Sequence, residues 1–318
     1  MVRITLPNYQ FQSTLIYAII IAVKLFYLWG DYMMQFLAIC AVILSLCLPT
    51  YPVLAHEQPA YTTLAYPAST AGYVWRLDSA NEAALPRNYR QMPSIRMSGS
   101  GQPSVLGLAA LVQHLEQQGV RQDEIYIIDL RQESHGYFNG NAVSWYGDNN
   151  WANAGKSSAY IQRLEPLQLG SRSNQNAIIY HLDKNKVPHA ALSVTDIQTA
   201  TEAQEAQKAG VHYLRLTCTD HYWPQPEEVT KFLSFVQTLP QGAWLHFHCQ
   251  AGIGRTTSCM AMYDILKNGQ HDSLATIMDR QHKLGGQDIL HVRSNVAWRQ
   301  AIFDNKAWQA RQFYEEHR

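Results

Sequence analysis

Residues 248–256 read His248-Cys249-Gln250-Ala251-Gly252-Ile253-Gly254-Arg255-Thr256. Apolar residues at 243–247 precede them, and a helix-forming run at 256–266 follows, closed by Asn268-Gly269. A strand is therefore expected to pass through a tight turn into a helix. Backbone amides in such a turn can converge on an anion, and the helix start adds partial positive charge. Gly252 and Gly254 are expected to free the backbone where a Cβ would resist. The planar fork of Arg255 can hold two oxygens of one oxyanion. Cys249 sits at the mouth, where the same field should draw its thiol below the ordinary value of about 8.5. One turn can thus bind a phosphoryl group, supply a nucleophile and meet developing charge. The competing reading, an ordinary buried cysteine, is disfavoured by Arg255 and the two glycines.

The pattern on either side fixes the fold class. Strands are expected at 124–130, 177–181, 211–216 and 243–247, and helices at 106–118, 193–209, 227–239, 256–266, 272–284 and 294–317. Ser193 or Thr195 would cap the second of these helices. Alternating strands and helices imply an α/β fold with a central, mostly parallel sheet flanked by helices. The stretch 131–156 carries Gly136, Gly140, Gly147 and five asparagines, which is loop chemistry. An inserted subdomain is expected at about 130–185, within a body spanning 101–318. Residues 56–100, rich in Pro, Ser, Tyr and Ala, read as an irregular approach.

The chain has 318 residues, 47% hydrophobic, and a formal net charge of zero. That balance argues against nucleic acid as a partner, so any anionic substrate must be caught by local positive charge. Apolar runs at 14–29 and 36–48 are followed by Val53 and Ala55, which suit a secretory signal cleaved near Ala55. Residues 1–55 are read as this leader, with translation starting at Met1 or at Met33/Met34. Export to the periplasm or beyond is the expectation, and cleavage would leave a mature N-terminus at His56. A retained membrane anchor is the alternative, and the leader is the sole expected route to a membrane. The body keeps Cys218, Cys249 and Cys259, an odd number and no disulfide scaffold.

Cys249-x5-Arg255-Thr256 resembles the signature of the protein-tyrosine-phosphatase superfamily. The longer match, WLHFHCQAGIGRTTS with TDHYWP, DLRQESHG and SWYGDNNWAN upstream, resembles the bacterial PTP-like phytases. So do the NYR at 88–90 and the SGSGQPS at 98–104. The resemblance covers roughly residues 86–290 and implies a protein-tyrosine-phosphatase-like fold. It implies an enzyme without a cofactor that cleaves phosphomonoesters of myo-inositol polyphosphates, phytate included, through a phosphocysteine. A protein tyrosine or dual-specificity phosphatase, as a secreted effector acting on phosphoprotein, is the alternative. Asp220, ahead of Trp223-Pro224, matches the general acid on a mobile loop, although its order departs from that of the tyrosine phosphatases. A cap for the following segment is the plainer reading. Thr256 matches the hydroxyl that eases thiolate departure, and His248 the residue that orients the loop.

Gln250, Ala251, Gly252, Ile253 and Gly254 would line the phosphate cradle. His221, Arg90, Arg131, Gln281, Lys283 and Lys306 are candidates for further substrate contact, with Gln281 also a candidate for placing water. His221 could equally be a scaffold hydrogen-bonder, and Lys283 a solvated lysine. Asp129, Arg131 and Glu133 stand at a strand end, where α/β sites form. They would touch substrate or make an internal ion-pair network, the latter favoured for Glu133. Trp145, Tyr146 and Trp151 read as packing. His135 has no partner at metal-ligand spacing, and no metal is proposed.

Overall fold

The structure, a computed structural model, describes residues 73–183 and 186–318. The leader, and the approach up to residue 72, lie outside the described residues.

In chain order the strands and helices are β1 (Val74–Ser79), β2 (Arg90–Met92), β3 (Met97–Gly101), α1 (Val105–Glu116), β4 (Ile125–Asp129), β5 (His135–Phe138) and β6 (Asn141–Tyr146). Then come α2 (Ser158–Gly170), β7 (Ala177–Leu182), β8 (Pro188–Val194), β9 (Thr199–Ala200), α3 (Glu202–Lys208), β10 (His212–Arg215) and α4 (Pro226–Gln237). The chain closes with β11 (Trp244–Cys249), α5 (Gly254–Asn268), α6 (Leu274–Lys283) and α7 (Ala297–His317).

A central sheet runs β10-β4-β11-β3-β2. Its first four strands are parallel, and β2 is antiparallel to β3 at the edge. One face packs against Phe232 of α4, Met260 and Ile265 of α5, Ile277 of α6 and Phe313 of α7. The other is covered by Leu108, Leu111 and Leu115 of α1 and Ala206 of α3. The expected α/β architecture is therefore a three-layer one. Its functional end is where β4, β10 and β11 finish together, with His248 in register with Asp129 and Arg215 with Asp129.

Two expectations are corrected. Residues 74–101 are not irregular: they hold three strands, one of them central. β3 reads MSGSG, without an apolar pattern, yet all five residues are buried. The reason is close approach by α5: a Cβ on Gly99 would lie 2.5 Å from Met260 Sδ and 2.7 Å from Thr256 Cγ2. A strand built for contact with a helix backbone carries small residues, and reads as a loop. Residues 131–156, expected as loop, contain β5 and β6. These join β1, β7, β8 and β9 in a second, six-stranded sheet ordered β8-β7-β1-β6-β5-β9. That sheet closes over its own core of Trp75, Phe138, Val143, Leu169 and Ile179. It recruits β1 from well upstream of residue 130, and β8 and β9 from beyond 185. The helix expected at 193–209 is shortened accordingly to α3, capped by Thr201 instead of Ser193 or Thr195.

Candidate active site

β11 carries Cys249 to the end of the central sheet, and the chain turns sharply into α5. Gly252 takes φ +77°, and a Cβ there would fall 2.3 Å from Gly101 N, so both its conformation and its space demand glycine. Gly254 has neither demand. Its Cβ would meet nothing nearer than Lys306 Nζ at 3.6 Å, so the expected backbone role is confined to Gly252.

Three successive carbonyls of the turn are gripped from outside. Arg87 Nη2 donates to Gln250 O at 2.6 Å, Asn88 Nδ2 to Ala251 O at 2.7 Å and Arg90 Nη1 to Gly252 O at 2.6 Å. A trans peptide points its N–H opposite to its C=O. Tying these carbonyls outward therefore turns the amides of residues 251–253 the other way. The Gly252 amide reaches Cys249 Sγ at 3.3 Å, and Thr256 Oγ1 lies 3.2 Å from the same sulfur. Burial by itself would push the thiol up. The Arg255 charge and the hydrogen bonds from Thr256 outweigh it and draw the Cys249 pKa below its ordinary value.

Arg255 is held by Glu133 through a two-pronged pair, Nη1 to Oε2 at 2.6 Å and Nη2 to Oε1 at 2.9 Å. Glu133 also accepts from Arg131 Nε at 2.9 Å, and Arg131 Nη1 reaches Asp78 Oδ2 at 2.8 Å. Burial would raise the Glu133 carboxyl, but Arg255 and Arg131 hold it far below the usual range. This buried chain leaves Arg255 Nε aimed elsewhere, 3.2 Å from Asp220 Oδ1. Asp220 also accepts from Asn150 Nδ2 at 2.5 Å, and its carbonyl from Trp151 Nε1 at 3.1 Å. The acid-bearing loop is thus pinned by the turn after β6. Burial raises the Asp220 carboxyl; Arg255, His221 and the Asn150 hydrogen bond lower it further than burial lifts it.

Beside these groups lies a cavity of about 380 Å³, walled by the turn residues between Cys249 and Arg255 and by Asp220. Asp220, His221, Gln250, Ala251, Ile253 and Gly254 line it, together with Lys306. Its other cations are Arg76, Lys186 and Arg299. Lys306 is almost wholly buried, donates to Gln287 Oε1 at 3.2 Å, and is pushed down to about 8, chiefly by burial. A neutral chain therefore concentrates positive charge at one place.

Five sequence candidates fall elsewhere. Arg90 sits behind the cradle, gripping Gly252 O and, at 3.2 Å, Thr257 Oγ1. Arg131 is fully buried in the Asp78–Glu133 pairing. Gln281 is buried on α6 and donates to Asp264 at 2.8 Å, while Gln287, six residues on, lines the cavity. Lys283 is exposed and paired with Asp279 one turn back. His248 is also away from the cavity wall: its Nε2 lies 2.9 Å from Glu202 Oε1. Glu202 and Asp129 both lie close to His135 Nε2, at 3.1 and 3.2 Å, and Arg215 Nε lies 3.3 Å from Asp129. Asp129, Glu202 and His248 bring their ligand-type atoms within 4.8 Å of one another. His135 and Arg215 already supply the positive charge these carboxylates need. Missed by sequence were Arg76, Lys186, Gln287 and Arg299, which carry no local motif, whereas Asn150 lies in the asparagine-rich SWYGDNNWAN stretch without being singled out there. Tyr146, read as packing, also faces the cavity, with Arg76 over its ring at 5.0 Å.

The PTP-like phytase family model, described as "Inositol hexakisphosphate", matches residues 128–267. A PTP-like phytase from Bdellovibrio bacteriovorus is 35% identical with a TM-score of 0.69, and the match covers 79% of this chain and 91% of that one. The chain belongs to the PTP-like phytase family. A tandemly repeated member from Mitsuokella multacida, also solved with myo-inositol-(1,3,4,5)-tetrakisphosphate, is 38% identical with a TM-score of 0.73. That match covers 79% of this chain and 47% of the other. Effector protein hopD2 of Pseudomonas syringae is 32% identical over 167 residues, 50% of this chain and 35% of its own length. The chain thus spans less than half of either longer relative.

Proposed function

We propose that the protein is a cysteine-dependent phosphatase of myo-inositol polyphosphates. The observation that carries this is that Cys249 and Arg255 meet Asp220, which itself stands on the wall of a cavity that also presents Arg76, Lys186, Arg299 and Lys306. Four cations beyond the clamp exceed what one phosphoryl group needs and suit a ligand bearing several. The tetrakisphosphate bound by the Mitsuokella relative supports the same substrate class.

In this mechanism a substrate phosphoryl group enters the cradle and competes with Asp220 for the Arg255 guanidinium. Losing that partner beside a dianion raises the Asp220 carboxyl and protonates it. The Cys249 thiolate attacks phosphorus, the S–P bond forms, and the P–O bond breaks. The departing alkoxide takes the proton of Asp220. Water then attacks the phosphocysteine, gives its proton to the Asp220 carboxylate, and inorganic phosphate leaves as the S–P bond breaks. Thr256, hydrogen-bonded to the sulfur, steadies the returning thiolate.

Purified protein is expected to release phosphate from phytate, with chromatography showing successively lower inositol phosphates. Turnover of a phosphotyrosyl peptide without any of phytate would overturn the substrate class and favour a phosphoprotein substrate. The match to an effector protein motivates that comparison.

The same substrate separates the lysines. Lys306→Ala, which removes a buried cation at the cavity, should raise KM for phytate at least about tenfold. Lys283→Ala, on an exposed surface pair, should change it less than about twofold. Equal effects would show that the cavity is not where the polyphosphate sits.

A further inference from the structure

Asp220 has two carboxyl oxygens, and the structure treats them differently. Asn150 Nδ2 donates to Oδ2 at 2.5 Å, while Asn150 Oδ1 accepts from Arg76 Nη1 at 2.8 Å. A guanidinium can only donate. The Asn150 oxygen must therefore face Arg76, and its NH2 must face Asp220. An amide orientation that is ordinarily ambiguous is here dictated by its neighbour. Arg76 is fixed in turn, with Nε on Asp78 Oδ1 at 2.8 Å and Nη2 on Ser144 Oγ at 2.9 Å. Asn150 and Asn149 both adopt left-handed backbone, φ 62° and 57°, which asparagine tolerates better than most residues. The turn is shaped to bring this one amide to Asp220.

An NH2 group aimed at Oδ2 ties that oxygen to the turn after β6 and so fixes the plane in which the carboxyl lies. The other oxygen, Oδ1, is the one 3.2 Å from Arg255 Nε, and that Nε has no aligned acceptor. Oδ1 also accepts the His221 amide at 3.0 Å and keeps a second lone pair. We propose that Asn150, locked by Arg76, is a positioning residue that holds the Asp220 carboxyl with Oδ1 turned toward Arg255 of the cradle. The second sheet, which supplies Arg76 and the turn after β6, thereby takes part in the chemistry of the first. This rests on Asp220 being the general acid. The other groups that act on Asp220 are Arg255 of α5, Glu133 after β4, His221 beside it, Lys306 of α7, Tyr146 of β6 and Cys249 of β11. Asn150 carries no charge and does not titrate, so its removal changes no charge.

The test is the pH profile of the full chain with an alkyl and an aryl phosphate, for Asn150→Ala and the near-isosteric Asn150→Asp. Losing a donor to the charged form should move the basic limb of kcat up by about one pH unit for Asn150→Ala. Asn150→Asp adds a like charge and should move it at least as far. With the carboxyl free to turn away from the cradle, the alkyl phosphate should lose about tenfold more rate than the aryl phosphate, which needs little protonation. Competitive inhibition by vanadate should stay within about twofold, showing an intact cradle. A basic limb that stays in place in both variants, with equal loss for the two esters, overturns the proposal. Asp220→Asn separates the two claims. If it slows alkyl phosphates selectively while Asn150 variants behave like the parent, only the Asn150 role falls. If it slows both esters equally, the general-acid reading falls, and this proposal with it.

Discussion

Cys249→Ser is expected to lower turnover of any phosphomonoester by at least about 10⁴-fold while leaving competitive binding of phosphate or vanadate in place. The two results come from separate parts of the turn. In the proposed mechanism the sulfur forms the new bond, and a serine hydroxyl in its place has no means of ionising: the Gly252 amide and Thr256 hydroxyl are donors, and neither can take its proton. The anion site is made by backbone whose direction is set by Arg87, Asn88 and Arg90 gripping three carbonyls, none of which the substitution touches. Single-turnover assays and vanadate titration of the variant measure both. Residual turnover above about 1% would show that the sulfur is not the nucleophile. Loss of anion binding would show that the cradle depends on the sulfur rather than on the clamped carbonyls.

Glu133→Gln should damage stability and turnover together. Glu133 neutralises two buried guanidiniums, Arg131 and Arg255. A glutamine offers one acceptor oxygen and presents an NH2 to a donor. Breaking a buried pair by removing one partner typically costs about 3–5 kcal/mol, and an unfastened Arg255 should lower kcat/KM by at least about a hundredfold. Chemical denaturation and steady-state kinetics read the two effects. A pH series adds a further check. The Glu133 carboxyl titrates far lower in the folded chain than in the unfolded one. Its contribution is therefore fully present above the unfolded pKa of about 4.3 and is lost as pH falls through the depressed folded value. The parent should lose this stabilisation on acidification, and the variant should lack that part of the dependence. A variant as stable as the parent, with unchanged kcat/KM, would mean that Arg255 is held by other groups.

Glu133 also shows where sequence reading reached its end. The stretch 129–133 could be recognised as a strand end carrying charge, and an ion-pair network was the favoured sense for Glu133. That Arg131 is its partner, and not a ligand for substrate, followed only from Asp78 arriving on β1. Arg90 was legible as belonging near the cradle, but from one strand no sign tells whether a guanidinium faces a ligand or the back of a loop. Gln281 and Gln287 are both glutamines in the same region. The helical register of α6 buries the first on Asp264, and the second, in the loop after that helix, reaches the cavity wall.

The nine residues from His248 to Thr256 are enough, by themselves, to bring the groups of the turn together: a thiol, a guanidinium, a hydroxyl and a glycine bend that sit within one continuous strand–turn–helix are near one another whatever the rest of the chain does. Local spacing likewise fixed the alternation of strands and helices on which the fold class rests. What tertiary structure alone decided was everything that reaches this turn from a distance. MSGSG became a central strand because α5 presses against it, and Arg76, Asn150, Arg299 and Lys306 became cavity residues because two sheets and a terminal helix converge there. Proximity of that kind is created by packing between segments that are far apart in the chain, so no periodicity or motif within a single segment can carry it.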